Sequence, residues 1–279
     1  MIQRPLDITS LTKEFATPTG RYIAVKDFSA VIQPGEFVAL LGHSGCGKST
    51  VLSILAGLER ATQGGVVIDG TEIDGPGLER ALVFQSPSLL PWISAMDNVL
   101  LAARQAHPRK SGREIRELAL KYLEFVGVAE YAQEMPAGLS QGVQQRVAIA
   151  RAFSLEPRFL LLDEPFGMLD SVTRAELQDL LLDLWEQEPK TVILVTHDID
   201  EALFLCDRIL LMTDGPEARL GLDLKITLPR PRSRRTVVEN PEYFRLRGEV
   251  IRFLEHHSKQ FTRETPPPGS ESPRLDSLH

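Results

Sequence analysis

The sequence contains little cysteine, no long apolar run and no excess of positive charge. Its two cysteines are too few for a disulfide scaffold or a zinc module, so we expect a reducing compartment. An apolar run of roughly 18 residues is absent, as is a signal-peptide segment, so we expect no membrane-spanning helix. The net charge of −7, from 38 acidic and 31 basic residues, argues against a strongly basic nucleic-acid binder. Together these absences favour a cytoplasmic protein.

The remaining composition is that of a globular protein. The chain has 279 residues, of which 43% are hydrophobic and 25% are charged. These shares are ordinary for folded domains and exclude disordered and collagen-like chains. A chain of this length contains enough apolar material to bury a sizeable core.

The apolar pattern predicts strands alternating with helices at both ends of the chain and a helical block between them. Strands are predicted at 5–9, 22–33, 37–41, 65–69, 80–84, 159–162, 191–196 and 208–212. Helices are predicted at 49–58, 140–155, 171–187, 200–205 and 241–257, and 94–134 is mainly helical. This alternation is typical of an α/β core with a parallel sheet, here with an inserted helical subdomain.

The C-terminal part begins with an arginine-rich segment. Residues 229–235 read Pro-Arg-Pro-Arg-Ser-Arg-Arg and mark a boundary. We expect a solvated linker there; the alternative is a surface for anionic lipid or an acidic partner. A helical extension is predicted over 230–262, and the Pro- and Ser-containing residues 263–279 are predicted to be disordered.

A glycine-rich loop between a predicted strand and a predicted helix carries the strongest chemical signal. Its residues are Gly42, His43, Ser44, Gly45, Cys46, Gly47, Lys48, Ser49 and Thr50. Two glycines separated by four residues and followed by Lys and Ser form a phosphate-binding pattern, whose amides and helix N-terminus attract anions. Lys48 can reach β- and γ-phosphates, and the Ser49 hydroxyl can ligate Mg²⁺. The helix N-terminus and Lys48 also predict a lowered pKa for the Cys46 thiol.

Acidic residues and a histidine follow two other predicted strands. Asp163 and Glu164 come directly after 159–162, at the edge where α/β sheets hold their ligands. Asp163 would hold Mg²⁺, and Glu164 could orient or deprotonate an attacking water. His197 follows the strand 191–196, where its ring can contact a γ-phosphate.

With these motifs, further segments make the chain resemble the ATP-binding subunit of ABC transporters. Leu139–Arg146, Leu-Ser-Gln-Gly-Val-Gln-Gln-Arg, is similar to the family's signature sequence. Gln85 follows the strand 80–84, and Phe-Gly-Met-Leu-Asp at 166–170 follows Glu164. The resemblance implies a P-loop NTPase core with a mainly parallel sheet, an antiparallel β subdomain and an inserted helical subdomain. It places an ATP-binding domain at 1–229, with the helical subdomain at about 86–157.

The resemblance also implies roles for residues around the phosphates of ATP. The implied catalytic residues are Lys48, Gln85, Glu164 and His197. The implied Mg²⁺ ligands are Ser49, Gln85 and Asp163. Glu164 would be the catalytic base and His197 the γ-phosphate sensor, and the implied cofactors are ATP and Mg²⁺.

Further implied contacts involve the adenine ring and a second subunit. Phe15 fits the family's adenine-stacking position best, and Tyr22 is the alternative. Ser140 and Gly142 would contact the γ-phosphate of ATP bound to the other subunit. Asp170 would lie at the centre of the dimer.

The signature departs from the family's common pattern at two positions. Gln141 stands where Gly is usual, and Val143 stands where Gln is usual. Ser140 and Gly142, which must approach the phosphate, are kept. Because a helix N-terminus with a Ser cap still presents amides to an anion, we expect activity to survive.

Three short segments resemble one branch of the family, importers of nitrate, sulfonates and taurine. They are Gly42–Cys46, Gly75–Arg80 and Ser88–Trp92, and His43 with Leu-Leu-Pro-Trp is most like nitrate, nitrite or cyanate importers. The resemblance implies an ATPase at the cytoplasmic face of the inner (plasma) membrane that powers import of a small anion. The alternatives are an exporter subunit and a soluble mechanochemical ATPase.

The implied assembly has several components and no nucleic acid. The ATPase would form a homodimer or pair with a related ATPase subunit beneath integral-membrane permease subunits. A periplasmic or lipid-anchored solute-binding protein would deliver the solute. The apolar segment Leu89–Ile93 would receive a short permease helix, or would pack within the helical subdomain.

Overall fold

A computed structural model describes residues 4–18 and 20–261. The strands are β1 Leu6–Thr17, β2 Gly20–Ile32, β3 Phe37–Leu41, β4 Gln63–Ile68, β5 Thr71–Glu72, β6 Arg80–Val83, β7 Phe159–Asp163, β8 Thr191–Thr196, β9 Arg208–Met212 and β10 Leu220–Lys225. The helices are α1 Lys48–Leu55, α2 Ala95–Ala106, α3 Gly112–Phe125, α4 Gln141–Ser154, α5 Ser171–Gln187, α6 Ile199–Leu205, α7 Arg234–Val238 and α8 Pro241–Phe261. Every predicted strand and helix has a counterpart here, and β5, β10 and α7 are additional.

The central sheet is mainly parallel and buried on both faces. Within the described residues its strand order is β10-β9-β3-β8-β7-β6, with β10 antiparallel to β9 and the other neighbours parallel. Alternate residues of β3 belong to two different hydrophobic cores: Phe37, Ala39 and Leu41 to one, Val38 and Leu40 to the other. Burial on both faces explains why β3, β7 and β8 read as uninterrupted apolar runs.

A smaller antiparallel sheet and a helical subdomain cover the two faces of the central sheet. The smaller sheet has the order β2-β1-β4-β5 and packs with α1 around one core. Helices α2, α3 and α4 pack together on the other core. Each of these helices begins with a serine cap: Ser94, Ser111 or Ser140. The predicted fold class is confirmed.

The strand order determines where the candidate functional residues meet. The strands β3, β8, β7 and β6 are adjacent and parallel, so their carboxyl ends share one edge of the sheet. The glycine-rich loop follows β3, His197 follows β8, Glu164 follows β7 and Gln85 lies just beyond β6. In open α/β sheets this edge is the ligand-binding edge.

The arginine-rich segment is packed against the protein, so the expectation of a solvated linker is wrong. Arg232 is 7% exposed and donates to the carbonyl oxygens of Phe204, Cys206 and Leu228. Arg230 lies over the Trp185 ring at 4.2 Å. These carbonyls and this ring provide partners that a local reading of charge does not reveal. The predicted disordered residues 263–279 lie outside the described part of the chain.

Of the helices in the described ranges, none combines the length and the apolar character needed to cross a membrane. This agrees with the expectation from the sequence.

Candidate functional site

The glycine-rich loop joins β3 to α1 in a conformation that requires glycine. Gly45 and Gly47 have φ angles of 79° and 95°, left-handed values that glycine adopts without strain. A Cβ at Gly47 would also stand 2.7 Å from Cγ2 of Val25. Gly47 is the N-cap residue of α1, and having no side chain it leaves the first amides of the helix free for a ligand. The loop therefore offers backbone N–H groups and a helix N-terminus to an anion.

Lys48 is folded back over this loop. Its side chain is buried, and its Nζ donates to the carbonyl oxygens of Gly42 and His43, each at 2.9 Å. A buried ammonium is costly unless its protons are bonded, and the two carbonyls satisfy that need. The result is a positive charge held beside the loop amides, where phosphate oxygens can bind.

Ser49 and Asp163 supply adjacent oxygen atoms at the start of α1 and the end of β7. The Ser49 hydroxyl donates to Oδ1 of Asp163 at 2.9 Å. Burial raises the pKa of the Asp163 carboxyl above its ordinary value; the Ser49 hydrogen bond opposes this shift, and the charge of Glu164 adds to it. Hydroxyl and carboxylate oxygens are the ligands that Mg²⁺ prefers, so this pair fits a magnesium ion.

Glu164 and His197 face each other across the ends of β7 and β8. Glu164 Oε2 lies 3.3 Å from His197 Nδ1, and the Glu164 amide donates to the Val195 carbonyl at 3.0 Å. The φ angle of Glu164 is 45°, a strained value for a residue with a side chain that costs on the order of 1–3 kcal/mol. The strain is concentrated at the residue predicted to be the catalytic base.

Gln85 reaches the same place from β6. A Cβ at Gly167 would stand 3.1 Å from Gln85 Nε2 and 3.7 Å from Glu164 Oε2, so the absence of a side chain at 167 leaves room for both groups. Gln145 of α4 is buried and donates to the Phe84 carbonyl at 3.2 Å. The signature helix thereby holds the residue before Gln85. The sequence analysis gave Gln145 no role, although a glutamine on the buried face of a helix was a usable signal.

A cavity of about 270 Å³ lies over the glycine-rich loop. Its lining comprises Phe15, Tyr22, Ala24, Ser44, Gly45, Gly47, Lys48, Ser49, Thr50 and Glu164. Phe15 and Tyr22 are opposite each other in the β1–β2 pairing. Lys13 Nζ lies 4.9 Å from the Phe15 ring centre, and the Tyr22 ring is 40% exposed. Both rings proposed for adenine stacking therefore lie at this cavity.

The signature residues lie apart from this cavity. Ser140 is the N-cap of α4, and its hydroxyl accepts from the Val143 amide at 3.3 Å. A Cβ at Gly142 would stand 2.6 Å from Cγ2 of Thr173, so glycine allows α4 to approach α5 closely. Among the residues described, the cavity lining includes neither Ser140 nor Gly142. One chain thus presents the loop and the signature on separate surfaces.

Asp170 caps the next helix rather than entering the cavity. Its Oδ1 accepts from the amides of Val172 and Thr173, both at 3.1 Å. Hydrogen bonds from Thr173 lower the pKa of the exposed Asp170 carboxyl. The side chain therefore remains ionised at the start of α5.

Two loop residues turn away from the cavity. His43 Nδ1 lies 2.7 Å from Asp214 Oδ1, in the segment after β9, and His43 faces the loop through its carbonyl. Cys46 is 1% exposed, and burial raises the pKa of its thiol although Lys48 opposes the shift. The predicted lowering of this pKa is wrong, because desolvation outweighs the nearby ammonium.

The family model described as "ABC transporter" matches residues 25–167, from the second strand through the segment after Glu164. This chain belongs to the ABC transporter family. The ATPase assignment and the ATP-binding domain follow from this membership. The matched range contains the glycine-rich loop, Gln85 and the signature.

Curated ABC relatives are similar over most of their length. The chain is 51% identical to the nitrate import ATP-binding protein NrtD of Synechococcus elongatus, over 87% of this chain and 88% of the relative. It is 45% identical to the bicarbonate transport ATP-binding protein CmpD of the same species, over 89% and 90%. It is 43% identical to the nitrate transport protein NasD of Klebsiella oxytoca, over 89% and 95%.

Solved ABC cassettes share the fold. One is the dimeric, post-hydrolysis state of the ATP-binding cassette MJ0796 bound to ADP and Pi. It is 34% identical with a TM-score of 0.71, and the match covers 79% of this chain and 98% of that one. This likeness confirms the P-loop ATPase architecture.

Proposed function

We propose that this ABC ATPase powers import of a small oxyanion through a membrane permease, at the cytoplasmic face of the membrane. The observation that carries the proposal is the similarity over nearly full length to ATP-binding subunits of nitrate and bicarbonate transport systems. Nitrate and bicarbonate are both small planar oxyanions. The same relatives favour import over the exporter and soluble alternatives.

The proposed hydrolysis uses the groups at the shared sheet edge. The loop amides and Lys48 bind the β- and γ-phosphates, because they offer N–H donors and positive charge at one place. Glu164 takes a proton from the attacking water as its oxygen bonds to the γ-phosphorus and the bond to ADP breaks. His197, 3.3 Å from Glu164, orients that carboxylate and contacts the γ-phosphate.

We propose Ser49, Asp163 and Gln85 as the groups that hold Mg²⁺. When bound, Mg²⁺ would offset charge on the phosphate oxygens. Gln85 would connect this place to the helical subdomain, because Gln145 anchors the preceding residue to α4.

We propose that two copies, or this chain and a related ATPase subunit, share each ATP. Ser140 and Gly142 lie outside the cavity of their own chain, which supports binding of ATP between the loop of one subunit and the signature of the other. The solved relative is also dimeric. Loss of the γ-phosphate would remove the contacts to the signature and loosen the pair.

A permease contact is proposed at the segment around Leu89–Ile93. The Trp92 side chain is 68% exposed, whereas Leu89 packs partly against the main core. Both readings of the segment therefore have support, since one part is anchored and another is open to a partner. A solute-binding protein would deliver the anion to the permease.

The test is solute-dependent ATP hydrolysis by the complete complex. The chain would be purified with its membrane subunits, placed in liposomes and assayed with the solute-binding protein plus nitrate, nitrite, cyanate, bicarbonate or taurine. Stimulation by a small oxyanion, and its loss in a matched Glu164→Gln complex, is the expected result. Hydrolysis that is indifferent to every solute would contradict the import proposal.

A further inference from the structure

The position of His197 depends on the short helix that follows it. Helix α6 begins at Ile199, and Asp198 caps it by accepting from the amides of Asp200 and Glu201. The Asp198 amide in turn donates to the Thr196 hydroxyl at 3.0 Å. His197 therefore lies in a turn whose geometry is fixed by Thr196 on one side and α6 on the other.

Inside this turn lies a buried carboxylate that the proposed mechanism does not use. Glu201 is 6% exposed, and its Oε2 accepts from Nε2 of Gln178 at 2.7 Å. The Thr196 hydroxyl also hydrogen-bonds the carboxylate, and the charges of Asp198 and Arg174 act on it. Burial raises the pKa of Glu201 to about 7. A buried carboxylate is costly, so these bonds must hold it in one place.

The hydrogen-bonded chain continues into the C-terminal segment. The other end of the Gln178 amide, Oε1, accepts from Arg234 at 2.9 Å. Arg234 also donates to the Ala175 carbonyl at 2.8 Å, and its guanidinium lies 4.6 Å from the Phe204 ring centre. A continuous path thus runs from α7 through α5 to Glu201 and the residue before His197.

The same C-terminal segment grips both ends of α6. At the N-terminal end, Asp200 accepts from the Tyr243 hydroxyl and from Arg247 Nε, each at 2.7 Å. At the C-terminal end, Arg232 donates to the carbonyls of Phe204 and Cys206. Helix C-terminal carbonyls lack partners within the helix, so these arginine contacts fasten the helix end.

We propose that the segment from Arg230 to Arg247 is a clamp on α6, and that Glu201 is the positioning residue through which it holds His197 against Glu164. This rests on the proposed role of His197 in hydrolysis. Glu201 itself touches no part of the cavity lining among the described residues. Its effect is therefore on the placement of the His197 ring, not on nucleotide binding.

Arg234→Ala tests the clamp from its outer end, with Arg235→Ala as the matched control. Arg235 lies in the same helix but pairs only locally with Glu239, and its side chain is 85% exposed. Full-length proteins would be compared for ATP affinity, for kcat and for amide hydrogen exchange of residues 194–200. Since misplacing a reacting group by about 1 Å can cost on the order of 100-fold, we expect Arg234→Ala to lower kcat by about 10-fold or more.

The expected pattern is specific to positioning. Arg234→Ala should leave the dissociation constant of Mg-ATP unchanged and speed exchange in 194–200, whereas Arg235→Ala should do neither. Glu201→Ala should show the same pattern more strongly. Unchanged kcat and unchanged local exchange in Arg234→Ala would overturn the clamp, as would faster exchange throughout the chain.

The outcomes separate the clamp from the proposed function. If His197→Ala hydrolyses ATP at the unmutated rate, the role assigned to His197 is wrong. Hydrogen exchange in 194–200 still reports on the clamp in that case, because it requires no turnover. If Glu201→Ala fails to fold, Arg234→Ala with its control decides the question.

Discussion

Glu164 and His197, which are 33 positions apart in sequence, bring Oε2 and Nδ1 to within 3.3 Å at the ends of two adjacent parallel strands. The contact follows from the sheet order, because β7 and β8 are neighbours in register. It joins the residue with strained backbone to the one that begins the turn into α6. The two side chains are thus set to act on one reacting group.

Replacing Glu164 by Gln should abolish turnover and keep binding. The amide preserves the shape of the side chain but cannot take a proton from water, so we expect kcat to fall by about 100-fold or more. Phosphate release and equilibrium binding of Mg-ATP would be measured on the same preparation. A variant that binds ATP and still hydrolyses it at the original rate would remove Glu164 from the mechanism.

Replacing Gly142 by Ala separates two uses of this glycine. A Cβ there would lie 2.6 Å from Thr173 Cγ2, and Thr173→Ser removes that methyl group while keeping the hydroxyl. If Gly142 acts on ATP of the partner subunit, Gly142→Ala loses ATPase activity and the double variant does not regain it. Steady-state hydrolysis of the two single variants and the double variant would show this. Recovery in the double variant would assign Gly142 to packing alone.

Arg232→Ala should lower stability substantially. The substitution leaves the carbonyls of Phe204, Cys206 and Leu228 without this donor, and an unsatisfied buried group costs about 1–3 kcal/mol. We expect the free energy of unfolding to fall by about 3 kcal/mol or more. Urea denaturation of this variant and of the exposed Arg235→Ala would measure the difference, and equal loss in both would contradict the buried role.

The buried Glu201 should make stability depend on pH near neutrality. Its pKa rises from 4.5 to about 7, so its contribution to stability is full below about 4.5 and is lost as pH rises through 7. Between these values the folding equilibrium should weaken by up to about tenfold per pH unit relative to Glu201→Gln. Denaturation of both proteins from pH 5 to 8 tests this, and parallel pH curves would refute it.

Much of the fold was predictable because the central strands are buried on both faces. The predicted bounds of β3, α5, β8 and β9 match the structure residue for residue. The glycine-rich loop was also readable, because its spacing reflects backbone geometry rather than packing. These are local signals, and they placed most of the candidate site on the correct loops.

What the sequence did not reveal depends on long-range packing. Nothing local distinguishes Arg232, whose partners lie 26 and 28 positions away, from an arginine in a solvated linker. The raised pKa of Cys46 results from burial that the loop sequence does not state. Glu201 likewise looks like one acidic residue in a short helix, until Gln178 and Arg234 are placed around it.

The central claim is that one ATP site is built from the loop of one subunit and the signature of another. Mixing two inactive variants, Lys48→Ala and Ser140→Ala, tests it directly. A mixed dimer contains one intact site, from the loop of the Ser140→Ala chain and the signature of the Lys48→Ala chain. The account predicts that Mg-ATP hydrolysis, absent from each variant alone, returns on mixing. Hydrolysis that stays at background in the mixture would contradict it.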